Sequence, residues 1–322
     1  MTSFPPASSL PGSVYRFDWT EKPPEEIQGG VVAVGNFDGV HRGHAQLIEV
    51  LCRRARQRSC PAVAVFFDPH PLQLLRPNQF RPVLTTAQER ARLLLEAGVT
   101  AVVILATTRE LLQLSARQFF DEVLVRRLAA VAIVEGHDFG FGRQREGNNE
   151  LLKKWCAEKN IGFEVVPAFC LVDKQPVSSS QVRSALERGD VSWAKTLLGR
   201  PYRLAGRVGT GQRRGQKLGF PTANLEQVTT MVPRDGVYAA RALTERGSYP
   251  AAVNIGPNPT FHEVGQKIEA HLLDFDGNLY EQPLALDFIE RLRDIQTFDS
   301  AEQLVQQLRK DVARVRSLID DN

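Results

Sequence analysis

The sequence predicts two architectures in one chain: an α/β unit with a parallel sheet over residues 1–199, then a mainly β unit over 200–322 that closes into a small barrel and ends in a helix. Three observations carry this reading. Short apolar runs alternate with helical periodicity up to Leu198, the pattern of strands joined by crossover helices. Beyond Gly199-Arg200-Pro201 that periodicity stops, and alternating or β-rich segments follow, separated by Gly, Pro, Asn and Asp turns. The length, 322 residues, suits about two domains.

Residues 1–29 hold five prolines and end in Gly29-Gly30, so they read as an irregular lead-in. Val31 to Val34 is a buried strand; Gly35 to Gly39 is a glycine loop, and Leu47, Ile48 and Leu51 recur at helical spacing. Ala62 to Phe67 makes the next strand. Thr86 to Glu89 has the capping-box pattern, opening a helix that Gly98 can close, and Val102 to Leu105 follows as a strand. Ser115 to Gln118 opens a helix through Leu128, then come the run Val131 to Val134 and a loop from Glu135 to Gly147. A further helix starts in Val177 to Arg183 and ends near Gly189; Ser192 to Leu198 is a short amphipathic segment. In the second unit, strands are expected at Tyr202 to Val208, Val237 to Leu243, Tyr249 to Asn254, Ile268 to Phe275 and Leu279 to Ile289. Ser300 caps a last helix whose Leu304, Leu308, Val312, Val315 and Leu318 form one apolar stripe suited to docking on the barrel.

Composition narrows the function. With 43% hydrophobic and 24% charged residues the chain can bury a sizeable core, and a net charge of +3 argues against wholesale nucleic-acid or membrane binding. Its four cysteines have no C-x-x-C spacing, its start lacks a signal-peptide pattern, and its apolar runs are too short to span a bilayer. A cytoplasmic protein is expected, and nothing indicates an oligomer.

Two phosphate signatures stand out. His41-Arg42-Gly43-His44 falls where a strand and glycine loop enter a helix, so backbone N–H groups and the positive dipole end favour an anion, and Gly43 allows close approach. Alone, the tetrapeptide also fits a cap with a packed imidazole. Ser178-Ser179-Ser180 with Arg183 puts hydroxyls and a guanidinium on another helix start, although Ser178 and Gln181 equally fit a capping box. The loops at Asn36 to His44, Asp68 to Pro71 and Gly136 to Gly142 all leave strand carboxyl ends, where ligands of such sheets bind. The second signature is Gly219-Phe220-Pro221-Thr222-Ala223-Asn224, at the end of a stretch, Val191 to Leu225, with seven basic residues and no acidic one. Thr222 and Asn224 offer hard oxygens on one side of an extended segment, suited to Mg²⁺ with nucleotide phosphates. A solvated basic face or a nucleic-acid strip is the alternative, but aromatics for base stacking are sparse in this stretch, so phosphate is the better reading.

Together, Gly35 to His44, Phe67-Asp68-Pro69-His70-Pro71, Gly136-His137-Asp138-Phe139 and Ser178 to Arg183 resemble the adenylyltransferase half of bacterial bifunctional riboflavin kinase/FAD synthetases. The P-T-A-N string, Asp235 to Tyr238, Asn254-Ile255-Gly256 through Phe261, Glu269 to Leu272 and Phe298-Asp299-Ser300 are similar to their riboflavin kinase module. The resemblance implies a Rossmann-like nucleotidyltransferase domain over 1–199 and a six-stranded kinase barrel over 200–322. It implies riboflavin, FMN and ATP as substrates, Mg²⁺ as the metal, and no nucleic-acid or membrane partner. His41, His44 and Arg183 would act in adenylyl transfer, with Gly35, Asn36, Phe37, Asp38, Gly39, Gly43, Asp138, Ser178, Ser179 and Ser180 around ATP. Phe67, Pro69, His70, Phe139 and Arg291 would meet flavin. In the kinase, Glu269 would be the catalytic base; Gly209, Gly211, Lys217, Gly219, Pro221, Thr222 and Asn224 would bind ATP, with Thr222 and Asn224 also serving Mg²⁺. Gly140 stands where the family often has Arg. Two alternatives stay open: a nucleotidyltransferase of other substrate choice joined to an inactive barrel, and an RNA-binding module without turnover.

Overall fold

The computed structural model describes residues 12–171, 175–210, 219–257 and 266–320. Its residues fall into two compact units. In the first, which comprises the described residues up to Arg81 and Thr85–Ser178, six strands form a parallel sheet in the order β1-β4-β3-β2-β5-β8. They are β1 (Ser13–Phe17), β2 (Val31–Val34), β3 (Ala62–Asp68), β4 (Ala101–Ala106), β5 (Ala132–Gly136) and β8 (Gly162–Val166). Alternation along β2 sends Val31 and Ala33 into one apolar core with Leu47, Ile48 and Leu51 of the helix Arg42–Arg58. Val32 and Val34 enter a second with Phe119, Phe120 and Leu124. Burial on both faces is why these strands read as unbroken apolar runs.

Strand order reverses at β2, with β3 and β4 on one side and β5 and β8 on the other. Beside β3, the pairing of β2 runs to Val34↔Val65, but beside β5 it ends at Val32↔Ile133. Past that point the Val34 N–H donates instead to Oε1 of Glu135, at 2.8 Å. Glu135 is 1% exposed, and burial raises its carboxyl well above the ordinary carboxylate range.

Several elements depart from the sequence reading. The lead-in contains an edge strand: Ser13–Phe17 pairs with β4 from Ser13↔Ala101 to Phe17↔Leu105. Its exposed, partly polar residues hide it from a pattern search. The helix Asn149–Glu158 and strand β8, between the sequence-read segments, complete the sheet. Ser115 and Gln118 form a reciprocal capping box, but the helix Ala116–Gln118 then widens into a π-helix over Phe119–Arg127. At Thr86 only half the box forms. Its hydroxyl accepts the Glu89 N–H at 3.1 Å, while the Glu89 carboxylate bonds to Arg92 at 2.7 Å.

The second unit holds a closed barrel of β9 (Tyr202–Gly209), β10 (Ala223–Glu226), β11 (Gly236–Thr244), β12 (Gly247–Gly256), β13 (Lys267–Leu272) and β14 (Pro283–Arg293), in the order β10-β13-β12-β11-β14-β9. In the first unit, between β5 and β8, β6 (Gly140–Phe141) and β7 (Gly147–Asn148) form a small hairpin. Strand β10 is the sixth stave, which the periodicity did not reveal because only four residues pair. Strand β14 starts later than expected: Glu281 takes a left-handed φ of 59°, turning the chain before Pro283. By contacts, the helices Ser179–Arg188 and Val191–Leu198 group with the barrel. The Arg234 N–H donates to the Leu186 carbonyl at 2.9 Å, and the Ser192 hydroxyl to the Ile289 carbonyl at 3.2 Å. The last helix, Ala301–Asp320, docks Val315 and Ile319 on Ala239 and Leu273. Its buried Asp311 pairs with Arg293 at 2.8 Å.

Two candidate active sites

In the parallel-sheet unit the chain leaves β2, turns through Gly35 to Val40 and enters the 17-residue helix Arg42–Arg58. The turn is strained: Phe37 and Val40 take φ of 46° and 40°, Gly39 82°. His41 is the N-cap; its Nδ1 accepts the His44 N–H at 3.4 Å. With Nδ1 accepting, the neutral His41 ring carries its proton on Nε2, which is then a donor. The two imidazoles stack with centroids 3.7 Å apart at 17°, and Phe37 meets His44 edge-on at 5.3 Å. A Cβ on Gly43 would lie 3.2 Å from the His41 ring and 3.4 Å from the Val177 carbonyl. A side chain there would crowd the His41 ring, and the same contact brings Val177, the neighbour of Ser178, to this helix start.

Asp38 is 3% exposed and turned inward. Its Oδ1 accepts the Thr85 N–H at 3.1 Å and an Arg90 Nη2 bond at 3.1 Å, and the Gly39 N–H donates to the Thr85 hydroxyl at 3.1 Å. Asn36 is exposed. At the end of β3, His70 Nδ1 accepts the Leu72 N–H at 3.1 Å, capping the short helix Pro71–Leu75. The Thr107 hydroxyl donates to the Pro69 carbonyl at 2.5 Å. The loop after β5 is held by its carbonyls: Asn149 Nδ2 donates to Gly136 and His137 at 2.9 and 3.0 Å, and Arg145 to Asp138 at 3.1 Å. A Cβ on Gly140 would meet the Arg145 guanidinium at 3.0 Å, so Arg145 occupies the space over the glycine. Phe139 stacks on Phe141 at 5.3 Å; Phe119 lies 6.0 Å from Phe141 and 6.3 Å from Phe67. These four rings sit against one core, at the carboxyl ends of β3 and β5.

In the second unit Ser179 and Ser180 begin the helix Ser179–Arg188, and Arg183 Nε donates to the Pro82 carbonyl at 3.4 Å. The barrel site rests on register. Asn224 lies directly opposite Gly209 on one side and Glu269 on the other, and Glu269 opposite Asn254. Directly opposed residues share a face. Ala223, Leu225, Ile268 and Ala270 are buried, so Asn224 and Glu269 take the other face, half-exposed. His271 Nδ1 lies 2.8 Å from the Pro221 carbonyl, with its ring edge-on to Phe220 at 5.4 Å, tethering the segment that carries exposed Thr222. Arg291 donates to the Asp235 carbonyl at 2.8 Å and to Asp294 at 2.7 Å, and lies over the Tyr238 ring at 5.9 Å. Burial raises the Tyr238 hydroxyl pKa. Gly211 and Lys217, and the Pro259 to Phe261 part of the kinase motif, lie outside the described residues.

Sequence reasoning missed Arg90 and Thr85, 52 and 47 residues from Asp38. It also missed Glu135, and Glu226, whose carboxylate packs over Gly209 on the Asn224 face. Nothing local marks such partners.

A stacked-histidine helix start at the switch point of a parallel sheet, joined to a barrel whose ladder sets Glu269 opposite Asn224, is the construction of a two-site transferase. A family model for FAD synthetase matches residues 23–181, and one for riboflavin kinase matches 198–319. The bifunctional riboflavin kinase/FMN adenylyltransferase of Pseudomonas fluorescens is 40% identical over 295 residues, spanning 91% of this chain and 94% of that protein. That of Escherichia coli K12 is 35% identical, spanning 90% and 92%. A crystal structure described as a macrolide-efflux protein from Streptococcus pneumoniae shares the fold at TM-score 0.85, with 31% identity over 94% of this chain and 98% of that one. Among the described residues here, no helix is long and apolar enough to cross a membrane. The chain belongs to the bifunctional riboflavin kinase/FMN adenylyltransferase family. It is an ATP-using enzyme of flavin cofactor biosynthesis, on the route from riboflavin to FMN to FAD.

Proposed function

We propose that the two steps run in separate sites with the following residues. In the kinase, over 200–322, Glu269 takes the proton from the primary hydroxyl of riboflavin as its oxygen attacks the γ-phosphorus of ATP and ADP leaves. A primary alcohol is a weak nucleophile at neutral pH, which is why a carboxylate is required there. Gly209, Gly219, Pro221, Thr222 and Asn224 hold the nucleotide, joined by Gly211 and Lys217. The Thr222 hydroxyl and Asn224 carbonyl fit Mg²⁺, which prefers oxygen and is shared with substrate phosphates. Among the described residues no group of three His, Cys, Asp or Glu side chains could hold a metal ion. When bound, it would neutralise phosphate charge.

In the adenylyltransferase, over 1–199, the FMN phosphate is already largely anionic near neutrality, by analogy with a second phosphate pKa of ~6. No protein base is needed. One of its oxygens attacks the α-phosphorus of ATP, and pyrophosphate leaves. His41, His44 and the helix start supply donors and positive charge to that transition state. Gly35, Asn36, Phe37, Gly39, Gly43, Asp138 and Ser178 shape the ATP pocket around them, and Ser179, Ser180 and Arg183 keep the part in adenylyl transfer that the family resemblance gives them. The Phe67, Phe139 and Phe141 rings form a shelf for flavin beside Pro69 and His70, and Arg291 borders the flavin of the kinase. A cytoplasmic location accords with the four free cysteines.

The observation that carries this reading is the register Asn224↔Glu269, which sets Glu269 directly opposite the asparagine of the P-T-A-N string. Purified protein with riboflavin, ATP and Mg²⁺ should yield FMN and then FAD, resolved by chromatography over time. Glu269→Gln should stop FMN formation while FAD still forms from added FMN, and His44→Ala should do the reverse. Equal loss of both steps in either variant contradicts separate sites.

A further inference from the structure

The turn that carries the histidines contradicts its own sequence. Phe37 at φ 46° and Val40 at 40° adopt a left-handed backbone that bulky and β-branched residues avoid. Such a conformation persists only where its surroundings over-determine it, and here the determinant can be identified. Asp38 and Arg90 form an ion pair at 3.1 Å with both side chains 4% exposed. Arg90 sits on the helix Ala87–Glu96, with its guanidinium 4.9 Å from the centre of the Phe66 ring on β3 and a second bond to the Thr85 carbonyl at 3.1 Å. Thr85 closes the network by donating its N–H to Asp38 and accepting the Gly39 N–H. Two consecutive residues of the turn are thus tied to one cation that is itself seated on the sheet.

We propose that Arg90 is a positioning residue for adenylyl transfer, clamping the Phe37–Val40 turn through Asp38 so that the His41 and His44 rings and the helix start meet the phosphates of ATP. This rests on the reading of that helix start as the ATP site. It assigns Asp38 to Arg90 rather than to phosphate, which suits the chemistry: a carboxylate aimed at a polyphosphate would repel it, whereas one turned inward and neutralised leaves the outward N–H groups free of competing charge. Breaking a buried pair from one side strands a charge, but removing both charges does not. The two cases separate positioning from direct contact.

The test uses the full chain, with FAD formation from added FMN as the readout and FMN formation from riboflavin as the internal control. Arg90→Gln should lower adenylylation kcat about 100-fold, the cost of misplacing reacting groups by about an ångström. KM for ATP should rise as well, while kinase turnover is unchanged. Loss of folded protein alone scales kcat and leaves KM where it was. The double variant Asp38→Asn with Arg90→Gln should regain at least about tenfold over Arg90→Gln. Where the single variant does not fold, the double is compared with the wild type directly and should lie within about tenfold of it. Unchanged adenylylation in folded Arg90→Gln, or a double variant that recovers nothing, overturns the clamp. His44→Ala is run alongside. If it spares FAD formation the ATP site lies elsewhere and the parent reading fails; if it abolishes FAD formation while folded Arg90→Gln is normal, only the clamp fails.

Discussion

The parallel-sheet unit and the barrel solve two phosphate problems by opposite constructions. In the sheet unit the groups proposed for catalysis stand on a turn between a strand and a helix, and that strained backbone is tied to a buried ion pair at residues 38 and 90. In the barrel the proposed groups stand on paired strands, with Asn224 and Glu269 opposed in the ladder. The difference follows from the chemistry. Adenylyl transfer to an anionic nucleophile asks for converging donors, which a helix start and its turn present. Phosphorylating an alcohol asks for one carboxylate at a set distance from the nucleotide, which a rigid ladder supplies without strain.

The comparison breaks most visibly at Glu269. Glu269→Gln should cost about 10² to 10⁴ in riboflavin phosphorylation, the usual worth of general-base help, with riboflavin KM nearly constant; an intact rate would remove the carboxylate from the mechanism. His44→Ala should lower FAD formation about 10² to 10³, as loss of one transition-state donor does elsewhere. A preserved initial rate would mean that the stacked imidazoles serve only the cap.

A smaller effect separates the units by pH. Buried Glu135 keeps its proton in the folded state well above its ordinary value of 4.5. Between that value and the folded one the unfolded chain binds fewer protons, so this group destabilises progressively as pH rises. Glu135→Gln keeps an acceptor for Val34 and removes the titration. Its melting temperature should therefore gain on the wild type as pH goes from about 4.5 to neutrality; a gap that stays constant with pH would show that the carboxyl is not held neutral. The smallest effect is expected at Gly140. Gly140→Arg must displace the Arg145 guanidinium that covers the glycine, exchanging one cation for another, so FAD formation should change only a few-fold. A loss as large as that at His44 would show that Arg145 itself is needed where it lies.

Legibility in the sequence differed between the units in a physically consistent way. The strand–turn–helix carrying His41 and His44 was readable because both halves have strong local signals: a four-residue apolar run and helical recurrence of Leu47, Ile48 and Leu51. Strand β1 was not, since an exposed edge strand in a proline-rich segment has neither alternation nor an apolar run. Strand β10 has four residues, too few for a period, although Asn224 on it and Thr222 just before it were singled out for their oxygens. His70 could be read as a flavin contact or as a turn residue, and its Nδ1 turns out to cap the Pro71–Leu75 helix.

By itself the sequence determined the two architectures and the family, and it offered the oxygen and imidazole groups proposed for the two nucleotide sites, because periodicity and short motifs are local and survive without coordinates. Only the tertiary structure decided that Asp38 faces Arg90, that Glu135 takes over where β2 and β5 part, that Arg145 covers Gly140, and that Asn224 opposes Glu269. Each of those joins residues distant in the chain, and burial, strand register and ion pairing act through space, with no periodic trace along the sequence.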